Sequence, residues 1–204
     1  MTPMFSWASS WVDICSPYDV WTGGTFCTNN QLTGQFETLS FCRMDSDDYL
    51  SGIASLYAAE VLGEGLASRW LELCSDREQK YKLSLFLQLE SEAKVRLRPL
   101  LARYSLSLVE DQSQRAAGAS VAEQFAAVPW REAMATLAEL ALPYVHRFQS
   151  LLDVAPPEDV PWVRFMVDHE QSVVRIAGRE SAGEAIMASE LVVMLAHPFA
   201  AFEQ

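Results

Sequence analysis

The feature that most constrains this chain is a set of four long segments whose apolar residues recur at steps of three and four. Such steps place side chains on one face of an α-helix. The segments cover about residues 46–74, 76–104, 129–152 and 161–184, and a shorter apolar segment follows at 185–196. Long amphipathic helices bury these stripes by packing on one another. The sequence therefore predicts an all-α fold, an up-and-down four-helix bundle with an extra C-terminal helix.

The segments outside these helices have a different character. Residues 1–44 are rich in aromatic and turn-forming residues and have little helical periodicity. Their apolar content argues against disorder, so we expect an irregular N-terminal arm that packs on a bundle domain of residues 45–204. Residues 105–128 are polar and rich in Ala and Ser, which predicts a connection with one short helix near 121–127.

Charge and composition narrow the classes of partner. The chain has 15 basic and 27 acidic residues and a net charge of −12, which disfavours nucleic acid and anionic membranes as partners. It has no run of about 18 apolar residues and no basic stretch followed by an apolar one at its start, so we expect no transmembrane helix and no secretory signal. Its four cysteines form no CxxC pair, and free thiols in a reducing environment are the favoured interpretation. A disulfide among Cys15, Cys27 and Cys42, which share one irregular segment, stays open as the alternative. We therefore expect a cytoplasmic protein.

Three ionisable residues interrupt the apolar stripes of three helices. Glu60, Glu90 and His169 each occupy a position where the periodicity requires a core residue. Burying a charge costs several kcal/mol unless it is paired or bound to a metal. Because the three stripes face one core, we expect a shared polar site. Carboxylates and an imidazole together suit iron, manganese or zinc better than calcium, so these residues are predicted metal ligands.

A second carboxylate follows on the first helix. Glu64 lies one turn after Glu60, between Gly63 and Gly65. Glycine weakens a helix, and a close helix contact or the approach of a ligand could explain both glycines.

Three stretches together carry a resemblance to a known family. They read Tyr57-Ala-Ala-Glu60-Val-Leu-Gly-Glu64 on the first helix, Leu89-Glu90-Ser-Glu92-Ala on the second, and Asp168-His169-Glu170 with Arg179-Glu180-Ser-Ala-Gly183 on the fourth. In these stretches, which span about residues 46–184, the chain resembles the ferritin-like superfamily of carboxylate-bridged dimetal proteins.

The chain departs from the pattern of that family at two positions. Ala93 stands where the family has the His of a Glu-x-x-His motif, and Met166 stands where a Glu precedes the His. A two-metal site needs about six ligands, which is more than these stretches supply. Three explanations remain open: the site holds one metal, other ligands such as Glu64, Glu170 or His146 complete it, or the metal has been lost.

The resemblance implies an oxidase or oxygenase that acts on a small organic substrate. Its cofactor would be non-haem iron, as one or two ions, held by the three predicted ligands. Glu64 and Glu170 would be catalytic groups, as extra ligands or as their partners. Tyr57 and Phe86 would form the wall of the pocket.

Two alternatives stay open beside this hypothesis. The chain could be a metal-free helical protein that binds a small ligand or a protein partner, with Lys94, Arg96 or Arg175 pairing with the buried carboxylates. It could also be a metal-free acid–base enzyme that uses His169 with a carboxylate. Whatever the chemistry, three tryptophans of the N-terminal arm could supply an apolar contact in a homodimer: Trp7, Trp11 and Trp21.

Overall fold

The computed structural model describes residues 46–198, and in this part of the chain it contains six helices and no strand. The helices are α1 Ser46–Leu73, α2 Arg77–Arg103, α3 Gln112–Ala126, α4 Trp130–Leu152, α5 Val160–Ala182 and α6 Met187–Met194. The all-α prediction is confirmed for these residues. None of these helices has the length and apolar character needed to cross a membrane. The predicted N-terminal arm, with its cysteines and tryptophans, lies outside the described residues.

The contacts between helix ends give the direction of each long helix. Near the start of α1, the Tyr49 hydroxyl donates to Asp159 at the start of α5 at 2.9 Å, so α1 and α5 run parallel. The Tyr49 ring also meets that of Tyr104, just beyond the end of α2, at 6.2 Å. Trp70 near the end of α1 lies 5.1 Å from Trp130 at the start of α4. Both α2 and α4 are therefore antiparallel to α1, and α3 carries the chain back between them.

Helix α3 is the main departure from the predicted organisation. The segment predicted as a connection with a short helix at 121–127 contains a helix that starts at Gln112. The Asp111 side chain caps it by accepting a hydrogen bond from the Ser113 N–H at 2.8 Å, which is a favourable N-terminal cap. As a result the four long helices do not simply alternate in chain order, and the alternation is kept only when α3 is counted.

Two glycines let α3 pack closely on α1. A Cβ added at Gly118 would lie 2.7 Å from the backbone nitrogen of Leu66 and closer still to the carbonyl oxygen of Leu62. A Cβ added at Gly65 would lie 3.0 Å from the Cα of Arg115. The close helix contact that the sequence offered as one explanation therefore applies to Gly65.

Two buried carboxylates hold α5 at its ends. Asp159 is fully buried and accepts hydrogen bonds from the hydroxyls of Tyr49 and Tyr104 and from Arg103. At the other end, Glu180 joins three elements. It accepts from Lys82 Nζ of α2 at 3.1 Å, from the indole N–H of Trp130 at 3.0 Å and from the backbone N–H of Met187 at 2.7 Å.

Candidate metal centre

The structure brings the three predicted ligands together between α1, α2 and α5. His169 Nε2 lies 3.5 Å from Glu90 Oε1 and 3.7 Å from Glu60 Oε2. One potential ligand atom from each residue lies within 4.8 Å of the other two. The exposed fractions of Glu60, Glu90 and His169 are 0, 4 and 3%. Three ionisable side chains on the apolar faces of three helices therefore lie together at one buried position.

Part of the hydrogen-bonding capacity of this cluster is unused within the described residues. Both carboxylate oxygens of Glu60 and the Nδ1 atom of His169 are buried and have no hydrogen-bond partner there. The distance of 3.7 Å between His169 and Glu60 is too long for a hydrogen bond. Buried polar groups in folded proteins are almost always satisfied, and a bound cation would satisfy the two Glu60 oxygens. The Nδ1 atom of His169 is not the ring nitrogen that faces the carboxylates, so such a cation would leave it without a partner.

The basic residues proposed to neutralise these carboxylates lie elsewhere, which corrects the metal-free hypothesis on this point. Lys94 Nζ contacts Glu64 at 2.6 Å and Glu110 at 2.5 Å. Arg175 pairs with a carboxylate of α6 at 2.9 Å. The guanidinium of Arg96 stacks over an aromatic ring of α5 at 3.8 Å. Within residues 46–198, the contacts of these three cations are with other groups and not with the cluster.

Burial, together with the neighbouring charges, shifts the pKa values at the cluster. Burial raises the pKa of Glu60 well above its usual range; a charged His169 opposes this shift, and the charges of Glu90 and Glu170 add to it. Burial alone would lower the pKa of His169, but the facing Glu60 and Glu90 carboxylates raise it to about 10. Burial raises the pKa of Glu170 to about 7, with His169 opposing and Glu90 adding to the shift. The site therefore retains protons, and a cation could replace them.

Glu64 belongs to a different cluster at the junction of α1, α2 and α3. Its Oε1 accepts from the Ser91 hydroxyl at 2.5 Å, and its Oε2 accepts from Lys94 at 2.6 Å and from Arg115. Burial alone would raise its pKa, but these three hydrogen bonds outweigh burial and lower the pKa to about 2. Both oxygens are engaged, so the geometry does not bring Glu64 to the cluster of Glu60, Glu90 and His169. Its catalytic role stays a prediction without support from this arrangement.

The remaining predicted site residues lie at different distances from the cluster. Glu170 is 8% exposed and close enough for its charge to raise the pKa values of Glu60 and His169. The Tyr57 hydroxyl is directed away and donates to the Leu108 carbonyl at 3.3 Å. Phe86 lies one helical turn before Glu90 and lines a small apolar cavity between α2, α4, α5 and α6. His146 is exposed on α4 and cannot complete the site. The roles of Tyr57 and Phe86 as pocket walls stay predictions.

Sequence reasoning missed two further groups of polar residues. Arg115 and Glu110, which complete the cluster around Glu64, lie in the segment predicted as a connection. Asp159 lies in the turn before α5 and is fully buried, and the helical periodicity gives no sign of this burial. A possible signal was its position directly before the first turn of α5, where an acidic residue is common.

In comparisons with known proteins, no family model matches this chain, and no curated protein and no solved structure matches it either. What the protein does must therefore follow from the chemistry of its own side chains.

Proposed function

We propose that this protein is a metalloprotein whose helical core binds a divalent transition-metal ion through Glu60, Glu90 and His169. The observation that carries the proposal is the buried convergence of two carboxylates and an imidazole in which Glu60 has no hydrogen-bond partner among the described residues. A divalent ion would offset the charge of both carboxylates. The mixture of oxygen and nitrogen donors suits iron, manganese or zinc.

Two of the three separations between these side chains come close to what such an ion requires. Carboxylate and imidazole ligands bind these metals at about 2.0–2.2 Å, which leaves neighbouring ligand atoms about 3–3.5 Å apart. The separations of 3.5 and 3.7 Å from His169 Nε2 are close to that range. Small side-chain adjustments would therefore complete the coordination, without movement of the helices.

We further propose that the metal is non-haem iron and that the protein is a ferritin-like oxidase or oxygenase of a small organic substrate. In ferritin-like bundles one long connection joins two helical hairpins. Here the hairpins would be α1–α2 and α4–α5, and the segment that contains α3 would be the connection. Within residues 46–198 only three potential ligands converge, which favours one ion rather than two. Iron, when bound, would supply the redox chemistry with dioxygen.

The residues of the chain would contribute charge, burial and a proton site. Glu60 and Glu90 would provide the negative charge that retains the ion, and the nearly complete burial of all three ligands would exclude water. Glu170, whose pKa is raised to about 7, could hold or release a proton at its carboxylate beside the centre near neutral pH.

The metal content of purified protein tests the proposed centre. We expect about one equivalent of metal in the wild type and at least about tenfold weaker retention in Glu60→Ala and His169→Ala, because each variant removes a ligand. The matched controls are Glu139→Ala and His146→Ala, which change exposed residues of α4 and should retain wild-type metal content. Unchanged metal content in both ligand variants would rule these residues out as ligands.

Dioxygen uptake tests the oxidase proposal separately. Protein reconstituted with Fe²⁺ should consume dioxygen faster than the same concentration of Fe²⁺ with the His169→Ala variant, because the ligand set retains the iron at the centre. Protein loaded with Zn²⁺, which is redox-inactive, is the control. If the wild type binds iron but consumes no more dioxygen than the zinc-loaded control, the proposed metal centre stands and the oxidase proposal is wrong.

One specific observation favours the metal-free alternative. Ala93 and Met166 occupy the positions where the ferritin-like pattern supplies further ligands. A chain that had lost its metal could use the same helices to bind a small ligand or a protein partner. The metal content of the wild type separates this alternative from the proposed centre.

A further inference from the structure

The cluster has its observed shape because one residue of α1 lacks a side chain. Gly63 faces α2 at the position of Glu90. A Cβ added at Gly63 would lie 2.8 Å from Glu90 Cδ, 3.4 Å from Cγ and closer still to Oε2. Such a separation is far inside ordinary carbon–carbon contact, which is about 3.5–4.0 Å. The carboxylate of Glu90 therefore occupies space that the side chain of any other residue at position 63 would fill.

We propose that Gly63 is a positioning residue of the metal centre, which admits the Glu90 carboxylate between α1 and α2 and so directs it at His169. This inference rests on the proposed metal centre and adds a residue that is not a ligand. Glycine in the interior of a helix is destabilising. The space that Gly63 leaves for the Glu90 carboxylate would explain why a glycine occupies this position of α1.

The group that yields to a side chain at position 63 should be the Glu90 carboxylate and not the backbone. All three of the nearest atoms belong to the outer part of the Glu90 side chain, which can rotate away. The contrast is with Gly65 and Gly118, where the nearest atoms are backbone atoms of the packed helix. Substitution of Gly63 should therefore turn Glu90 away from the centre and leave the helices in place.

A double-mutant cycle on Co²⁺ affinity tests this inference, because the absorption of bound Co²⁺ also reports its coordination. We expect Gly63→Ala to weaken binding by about 10- to 100-fold, the range found when the support of a ligand is removed. Glu90→Gln should weaken binding to a similar extent. The double variant should bind no more weakly than Glu90→Gln alone, because residues that act through one contact are not additive.

Gly178→Ala is the matched control. Gly178 also lies inside a helix, and a Cβ added there would meet no described atom within 4 Å. This variant should bind Co²⁺ as the wild type does and unfold at the same temperature or a higher one. Combined with Glu90→Gln, it should add nothing to the loss of affinity.

The outcomes distinguish a failure of the proposed role of Gly63 from a failure of the proposed metal centre. A wild type that binds no metal would overturn both the centre and the role of Gly63. A wild type that binds Co²⁺ together with a Gly63→Ala variant that binds it equally tightly would overturn the role of Gly63 alone, as would fully additive losses in the cycle. If the Gly63→Ala variant does not fold, the double variant with Gly63→Ala and Glu90→Ala tests the inference instead. Recovery of folding in this pair would identify Glu90 as the clashing group, and failure to recover would refute it.

Discussion

At the scale of single residues, the carboxylate of Glu60 is the observation on which the proposed chemistry of the core depends. It is fully buried in α1, with its oxygens unpartnered among the described residues and with Glu90 and His169 beside it. A buried carboxylate without a counter-charge is costly for a folded protein. The metal-free protein must therefore retain protons at this cluster to limit the cost.

The metal-free protein should lose stability as the pH rises, because of these retained protons. The pKa of Glu170 is raised from 4.5 to about 7 and that of His169 from 6.5 to about 10, and the pKa of Glu60 is raised as well. Each group binds its proton more tightly in the folded state, so its contribution is complete below the unfolded pKa and is lost as the pH passes the folded value. Thermal unfolding with a chelator present, from about pH 5 to about pH 9, measures this dependence.

A comparison of variants assigns that pH dependence to the cluster. Glu170→Gln should flatten the decline between about pH 4.5 and about pH 7, because the variant has no proton to release there. Glu139→Gln changes an exposed residue of α4 and should leave the decline as it is. A decline that Glu170→Gln leaves intact would show that other groups cause it.

The convergence of the three proposed metal ligands was predictable from the sequence because each breaks an otherwise apolar pattern. Glu60, Glu90 and His169 all occupy core positions of strongly periodic helices, and periodicity gives the face of a helix reliably. The environment of Glu64 was not predictable in the same way. It depends on Arg115, which lies in another helix, and a periodic pattern carries no information about contacts between helices.

At the scale of the helices, the packing of α3 on α1 depends on small residues. Gly118 faces the backbone of α1 so closely that an added methyl group must separate the two helices. We expect Gly118→Ala to lower the free energy of unfolding by about 1–3 kcal/mol, the usual cost of overpacking. Equilibrium unfolding in denaturant measures it, with Gly178→Ala as the control. Equal stability of the two variants would show that α3 shifts on α1 without cost.

The same small residues explain why the sequence predicted only part of α3. The four long stripes contain large apolar residues, and their helices were predicted to within about two residues at each end, the usual uncertainty of helix boundaries. The buried residues of α3 are few and mostly small: Gly118, Val121, Ala122 and Phe125. Only the part with Val121 and Phe125 produced a recognisable helical signal.

At the scale of the whole molecule, the sequence did not determine the directions of the helices. The apolar periodicity of a helix is the same whichever way the helix runs along the bundle. The direction of the next long helix depends on whether the connection before it contains a helix that crosses the length of the bundle. One helix between α2 and α4 that was predicted too short was enough to reverse the expected direction of α4 relative to α2. The Tyr49–Asp159 and Trp70–Trp130 contacts, which define these directions, join residues remote in the chain.

The attachment of α5 at both of its ends has a consequence for ion selectivity. His169 lies between Asp159, which is bound by α1 and α2, and Glu180, which is bound by α2, α4 and α6. With both ends of α5 anchored, the backbone of His169 should not shift along the bundle axis to follow a larger or smaller ion. If the proposed centre holds a metal, only side-chain adjustments would then accommodate the ion, and the affinity should depend on ionic radius as well as on donor chemistry.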